Sequence, residues 1–139
     1  MVKTTFTAPY RYKTITEGKI LDPLILLPMK TQIGWYDTLF LLDSGADTTM
    51  LSLRLAEKLG LYYNRLLKIR FFGIEGRGIN AYRGRILVKI GGVELGIRCY
   101  FAESDDPTLL LGRLDLFDKF NITFDSSQKQ IIFREIIIK

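Results

Sequence analysis

The strongest constraint on this chain is a rhythm of short runs of branched and aromatic residues, stopped repeatedly by turn formers. "YRYKTIT" (Tyr10–Thr16), "DPLILLPMKTQI" (Asp22–Ile33) and "GWYDTLFLL" (Gly34–Leu42) each read as a strand. "LLKIRFF" and "INAYRGRILVKI" are two more, joined through the glycine-rich "GIEGRG" (Gly73–Gly78) into a long hairpin with a flexible tip. Gly91-Gly92 is a two-residue hairpin signal leading to a strand that ends near Ala102, and the C-terminal stretch is a hairpin turning around Asp125–Lys129. Helix signals are sparse. Ser52 suits the N-cap of "LRLAEKLG", with Leu55, Ala56 and Leu59 as its apolar stripe and Gly60 as its stop. "DDPTLLLGRLDLFDKF" reads as a loop, a short buried strand and a second short helix over Arg113–Lys119, with Leu114, Phe117 and Phe120 turned to the core. The expected architecture is all-β, closed or sandwiched, with one or two short helices.

Composition bounds what such a fold can do. At 139 residues, nearly half of them hydrophobic, the chain is expected to form a single domain over 1–139. No apolar run is long enough to cross a bilayer and the N-terminus lacks an apolar signal core, so the expectation is a cytoplasmic protein without membrane insertion. The lone cysteine, Cys99, has apolar neighbours and reads as a buried thiol. The net charge of +5 comes from Lys and Arg spread along the chain, which reads as a solvated basic surface with no nucleic-acid partner. There are no histidines, so Ser-His-Asp and Cys-His relays and the usual His-bearing zinc sites are excluded. Chemistry must rest on carboxylates, Lys or Tyr, and no cofactor or metal is expected.

Within this frame "LLDSGADTTMLS" (Leu41–Ser52) stands out. Asp, Ser and Gly all form turns, so an ordinary turn is one reading. A solvent turn, however, is seldom entered through "TLFLL" and left through a helix start without polar spacers. Burial near Asp43 is implied, and a buried carboxylate needs hydrogen bonds that the adjacent Gly45 lets backbone amides approach to give.

The segment resembles the active-site loop of retropepsin-like aspartic proteases: two hydrophobic residues, Asp, Ser or Thr, Gly, Ala, Asp. Two further pieces follow in the family's order. "FFGIEGRG" is similar to the flap that closes over substrate, and "LLLGRLDLF" resembles the strand, Gly-Arg turn and helix that pack under the catalytic loop. Together they span about Trp35 to Phe120. The resemblance implies a closed, retropepsin-like β-barrel acting as a homodimer. It assigns Asp43, Ser44 and Gly45 to catalysis, and Gly45, Ala46, Asp47 and the flap tip Gly73, Ile74, Glu75 and Gly76 to binding a peptide or protein substrate. Gly78 and its neighbours would let the flap open. The resemblance also pairs Arg113 with Asp47, lets Ser44 bond across the dimer axis and gives the terminal strands a part in sealing the dimer. The family often reads Gly-Arg-Asp or Gly-Arg-Asn where Leu114 here separates Arg113 from Asp115, so no role is carried over to Asp115. Residues 1–30 match no part of the pattern and stand as an N-terminal extension.

Aspartic proteases bring two carboxylates together to share one proton, and one carboxylate cannot be base and acid at once. "DSS" at Asp125–Ser127 lacks the glycine and sits in a solvent-facing turn, so the second Asp43 is expected from a second copy of the chain. The expected activity is cleavage of internal peptide bonds. Three alternatives stand beside it. A retropepsin-like fold without catalysis would serve dimerisation or peptide binding. Gly73–Gly76 formally matches the Gly-x-x-Gly loop of RNA-binding KH domains, although strand-like sequence flanks it. A carboxylate-pair glycosidase is open on residue types alone.

Overall fold

The computed structural model describes residues 3–61, 66–72, 78–104, 106 and 108–137. Twelve strands and one helix follow in order: β1 (Lys3–Pro9), β2 (Arg11–Ile15), β3 (Gly18–Asp22), β4 (Leu24–Thr31), β5 (Gly34–Leu42), β6 (Thr49–Ser52), α1 (Leu53–Lys58), β7 (Lys68–Phe72), β8 (Gly78–Ile90), β9 (Val93–Ala102), β10 (Leu110–Leu111), β11 (Phe120–Asp125) and β12 (Gln130–Glu135). A seven-stranded sheet runs β4-β5-β10-β6-β9-β8-β7, and β4 also meets β8 at Met29↔Val88, so the sheet bends round toward its own far side. A three-stranded sheet runs β1-β12-β11, and β2 with β3 makes a separate hairpin.

Alternation along the strands explains the core. Ile25, Leu27 and Met29 of β4, Ile86, Val88 and Ile90 of β8, and Leu95, Ile97, Cys99 and Phe101 of β9 point inward, while Lys30, Arg83, Arg85, Glu94 and Arg98 lie between them on the outer face. Phe40, Phe101, Phe120 and Phe133 are fully buried and join both larger sheets in one hydrophobic cluster. Phe133 lies edge-on to Phe120, with ring centroids 5.9 Å apart, and at a tilt to Phe6 at 5.7 Å. Burial pushes the Cys99 thiol up to about 12, which keeps it protonated and unreactive at neutral pH. No helix among the described residues is long and apolar enough to cross a membrane.

Most boundaries follow the sequence reading, including β5 over Gly34–Leu42 and the β8–β9 turn at Gly91-Gly92. Helix α1 starts where Ser52 Oγ accepts from the Leu55 amide, and stops at Gly60, whose φ of +74° ends the winding. The C-terminal stretch is not a free edge: β12 is bonded to β1 on one side and β11 on the other.

The segment 113–119 departs from expectation. In place of a helix there are two successive tight turns, with the amides of Leu116 and Phe117 both donating to Arg113 O, and those of Lys119 and Phe120 both donating to Leu116 O. Within the first turn Asp115 takes a φ of +68°, and its carboxylate accepts from the Arg98 amide and twice from the Arg98 guanidinium at 2.8 to 2.9 Å. Leu116 and Phe120 become the core residues, whereas Leu114 stays at the surface.

The Arg98 hydrogen bonds hold the Asp115 carboxyl at about 2, below the usual carboxylate range. A depressed pKa contributes stability above the ordinary value, and that contribution disappears as pH falls toward 2. Asp115→Asn is expected to destabilise the chain by on the order of 1 kcal/mol above pH 5. The gap to wild type should close as pH falls from 4 to 2 in urea titrations, and a gap that persists unchanged at pH 2 would contradict the assignment.

Candidate active site

The site is built around the two residues of β10. Leu110 and Leu111 pair in parallel with Leu41 and Leu42 of β5, and Leu110 pairs antiparallel with Met50 of β6. A strand this short needs both neighbours to hold it, and the hydrogen bonds are continued past its ends. The Leu41 amide donates to Leu109 O at 2.8 Å and the Asp43 amide to Leu111 O at 3.0 Å. Asp43 is therefore carried on a strand end anchored by Leu42, which is 2% exposed.

From Asp43 the chain loops over the end of β10 to reach β6. The Ala46 amide donates to Asp43 O at 3.2 Å, and the Gly45 amide donates to Asp43 Oδ1 at 2.9 Å. A Cβ on Gly45 would sit 3.2 Å from that same Oδ1, so glycine is what lets the amide approach. Asp43 is half-buried, as is Ala46, while Ser44, Gly45 and Asp47 are exposed. The burial expected near Asp43 is found most fully at its neighbour Leu42.

Residues 112–114 form the floor of this loop. Arg113 and Leu114 amides donate to Ala46 O and Asp47 O, both at 2.9 Å. Fully buried Thr49 accepts the Gly112 amide on Oγ1 at 3.0 Å. A Cβ on Gly112 would lie 2.5 Å from the carbonyl carbon and oxygen of Thr48, so the two backbones are in direct contact there. The Arg113 guanidinium donates to Asp47 Oδ1. Both side chains are at least half exposed, and such a pair is worth about 0 to 1 kcal/mol, so the backbone bonds do most of the holding. Asp125 has a different setting: it closes the β11–β12 turn, accepting from the Gln128 amide and the Ser127 hydroxyl. The flap residues Gly73, Ile74, Glu75 and Gly76 lie outside the described residues, and Gly78 opens β8.

Beside the loop lies an apolar pocket of about 310 Å³ that reading the sequence did not single out, with Leu41, Met50, Ile79, Thr108 and Leu110 among its walls. The register explains it. Leu42, Leu51 and Leu111 face the core, and alternation turns Leu41, Met50 and Leu110 to the opposite face as a row across three adjacent strands. That row is invisible without knowing that β10 lies between β5 and β6.

Thr49→Val keeps the shape but leaves the buried Gly112 amide without its acceptor, and should destabilise the chain by about 1 to 3 kcal/mol. Gly112→Ala should cost a similar amount through overpacking against Thr48. Denaturant unfolding of both variants measures this, and wild-type stability in either would contradict the described packing.

Comparison with known proteins gives this geometry a context. A family model described as aspartyl protease matches residues 30–113. The UBA domain-containing protein Mud1 of Schizosaccharomyces pombe is 32% identical over 111 residues, which cover 77% of this chain and 32% of that protein. DNA damage-inducible protein 1 of Kluyveromyces lactis is 35% identical over 104 residues, covering 72% and 24%. The chain spans about a third or less of the length of these curated relatives. Among solved structures, a retropepsin-like aspartic protease from Rickettsia conorii superposes with a TM-score of 0.66 at 20% identity, over 97% of this chain and 92% of that one. The EIAV protease, complexed with the inhibitor HBY-793, gives 0.51 at 25% identity, over 66% and 82%.

Proposed function

The chain belongs to the aspartyl protease family, in its retropepsin-like branch, and from that premise we propose that it is an aspartic endopeptidase whose reaction centre forms when two copies pair about a two-fold axis. The observation that carries this reading is Asp43: a half-buried carboxylate at the end of an apolar strand, oriented by the Gly45 amide, two residues after Leu41 in the wall of a mostly apolar pocket, with no cation paired to it among the described residues.

Two Asp43 carboxylates at hydrogen-bond distance share one proton, so that one serves as base while the other serves as acid. The ionised member takes a proton from a bound water as the water oxygen attacks the scissile carbonyl carbon. The protonated member donates its proton to the carbonyl oxygen. The resulting tetrahedral diol collapses as the first carboxyl returns its proton to the amide nitrogen, the second, now ionised, takes the proton of one diol hydroxyl, and the carbon–nitrogen bond breaks, leaving one proton on the pair as at the start. No bond to the protein forms at any stage. Ser44, at the tip of the exposed loop, bonds its counterpart across the axis, and the Arg113–Asp47 pair braces each loop. Substrate lies as an extended strand, clasped from above by the backbone of Gly73, Ile74, Glu75 and Gly76. Alternate side chains of such a strand point the same way, so Leu41, Met50 and Leu110 receive one apolar side chain close to the scissile bond.

Asp43→Asn is expected to abolish cleavage of an apolar peptide library without loss of folding, and equal cleavage by variant and wild type would remove Asp43 from the mechanism. Subunit mixing gives a sharper readout. With equal amounts of wild type and Asp43→Asn after exchange, random pairing leaves about a quarter of the dimers with two aspartates. Activity per total protein should therefore fall to about a quarter, whereas a chain that works alone would retain about half. A dimer that binds the peptides and cuts none would leave the non-catalytic peptide-binding alternative.

A further inference from the structure

On the same face as the pocket lined by Leu41 lies a second, larger concavity that the proposed reaction does not use. It has a volume of about 660 Å³, and Leu24, Met29, Tyr36, Leu39, Leu55 and Leu109 are among its walls. Leu39 and Leu41 are two apart on β5 and share a face, with Leu39 in this groove and Leu41 in the pocket. Thr108 belongs to the walls of both. A third concavity of about 280 Å³ links them, sharing Leu55, Lys58 and Leu109 with the groove and Ser52, Ser104 and Asp106 with the pocket. The three adjoin one another past Ser104, Asp106, Thr108 and Leu109.

Building on the reading of Asp43 as the reaction centre, we propose that this groove is an exosite for the substrate polypeptide itself, seating a large apolar side chain several residues away from the scissile bond. Leu39 precedes Asp43 by four residues, a run of about 13 Å along the strand, so an extended chain reaches the groove with roughly four residues or more. Apolar character selects the occupant. On the β4–β5 hairpin that forms the rim, Ile33 is 93% exposed, Tyr36 65% and Leu39 38%, large apolar surfaces that nothing in the chain covers among the described residues. Charge does not select: Arg54 and Lys58 at the waist stand with Asp106, and Asp37 lines the groove. The exosite lowers KM for long, apolar substrates and leaves the bond-breaking step unchanged, so such an enzyme prefers extended or unfolded segments over short peptides.

The test takes an octapeptide cleaved by the wild type and lengthens it at either end with a spacer of about four glycines followed by Phe-Leu-Phe, or by Ser-Gly-Ser as control. At one end the apolar tail should raise kcat/KM about tenfold, the effect of burying one apolar side chain, and it should act through KM. In Tyr36→Ala and in Leu39→Thr, which keeps a strand-forming residue, the long-to-short ratio should fall toward one; because the ratio is taken within each variant, a partial loss of folded protein cancels. A wild-type ratio near one, or a raised ratio that survives in both variants, overturns the exosite. If the wild type cleaves no octapeptide, the endopeptidase reading fails separately. Binding of the isolated glycine-Phe-Leu-Phe peptide, followed by NMR shifts, then decides the groove: saturation weakened in both variants supports it and absence of binding overturns it.

Discussion

The contact of Gly112 with the Thr48–Thr49 backbone is the constraint on which the rest of the site depends. Two stretches more than sixty residues apart in sequence lie so close that no side chain fits between them, and the buried Thr49 hydroxyl accepts the Gly112 amide. That contact holds β10 between β5 and β6, although β10 has only two residues. From it follow the hydrogen bonds of Arg113 and Leu114 to the loop, the direction in which Asp43 leaves β5, and the row of Leu41, Met50 and Leu110 beside it. Polar precision at the loop thus rests on backbone packing, with the exposed Arg113–Asp47 pair as a modest addition.

Where pairing is local the fold was legible in the sequence. Branched residues in alternation marked β4, β5, β8 and β9, Gly91-Gly92 marked the β8–β9 hairpin, and Ser52 with Gly60 bounded α1. Where pairing is remote it was not. β6 is four residues long and exists because it lies parallel to β9, with Thr49 opposite Cys99. β1 forms because β12, more than a hundred residues later, offers it an edge. Leu114, Phe117 and Phe120 have helical spacing, yet Arg98 draws Asp115 into the left-handed region and breaks the winding. The carboxylate loop was readable from its own residues, while the apolar pocket appears only once β10 is placed in register.

The chemistry available to the chain narrows in the same way. No histidine is present and the single thiol is buried and held protonated, which leaves carboxylates, Lys and Tyr as the groups able to act. Asp43 is displayed by a loop held through backbone hydrogen bonds from Arg113 and Leu114, and Leu41, two residues before it, lines a mostly apolar pocket. A single acid in that setting orients water or polarises a carbonyl, and in the proposed dimer symmetric pairing is the means by which one chain supplies both acts. The groove beyond Thr108 extends the apolar surface along the same face, and the proposed exosite would connect selection of a long substrate to the bond that is cut.

Dependence of catalysis on association is the central claim, and specific activity measured across a dilution series, beside sedimentation at the same concentrations, tests it most directly. Activity per milligram should fall as the dimer dissociates, tracking the dimer fraction through the transition. Activity per milligram that stays constant into concentrations where only monomer sediments would contradict the shared reaction centre.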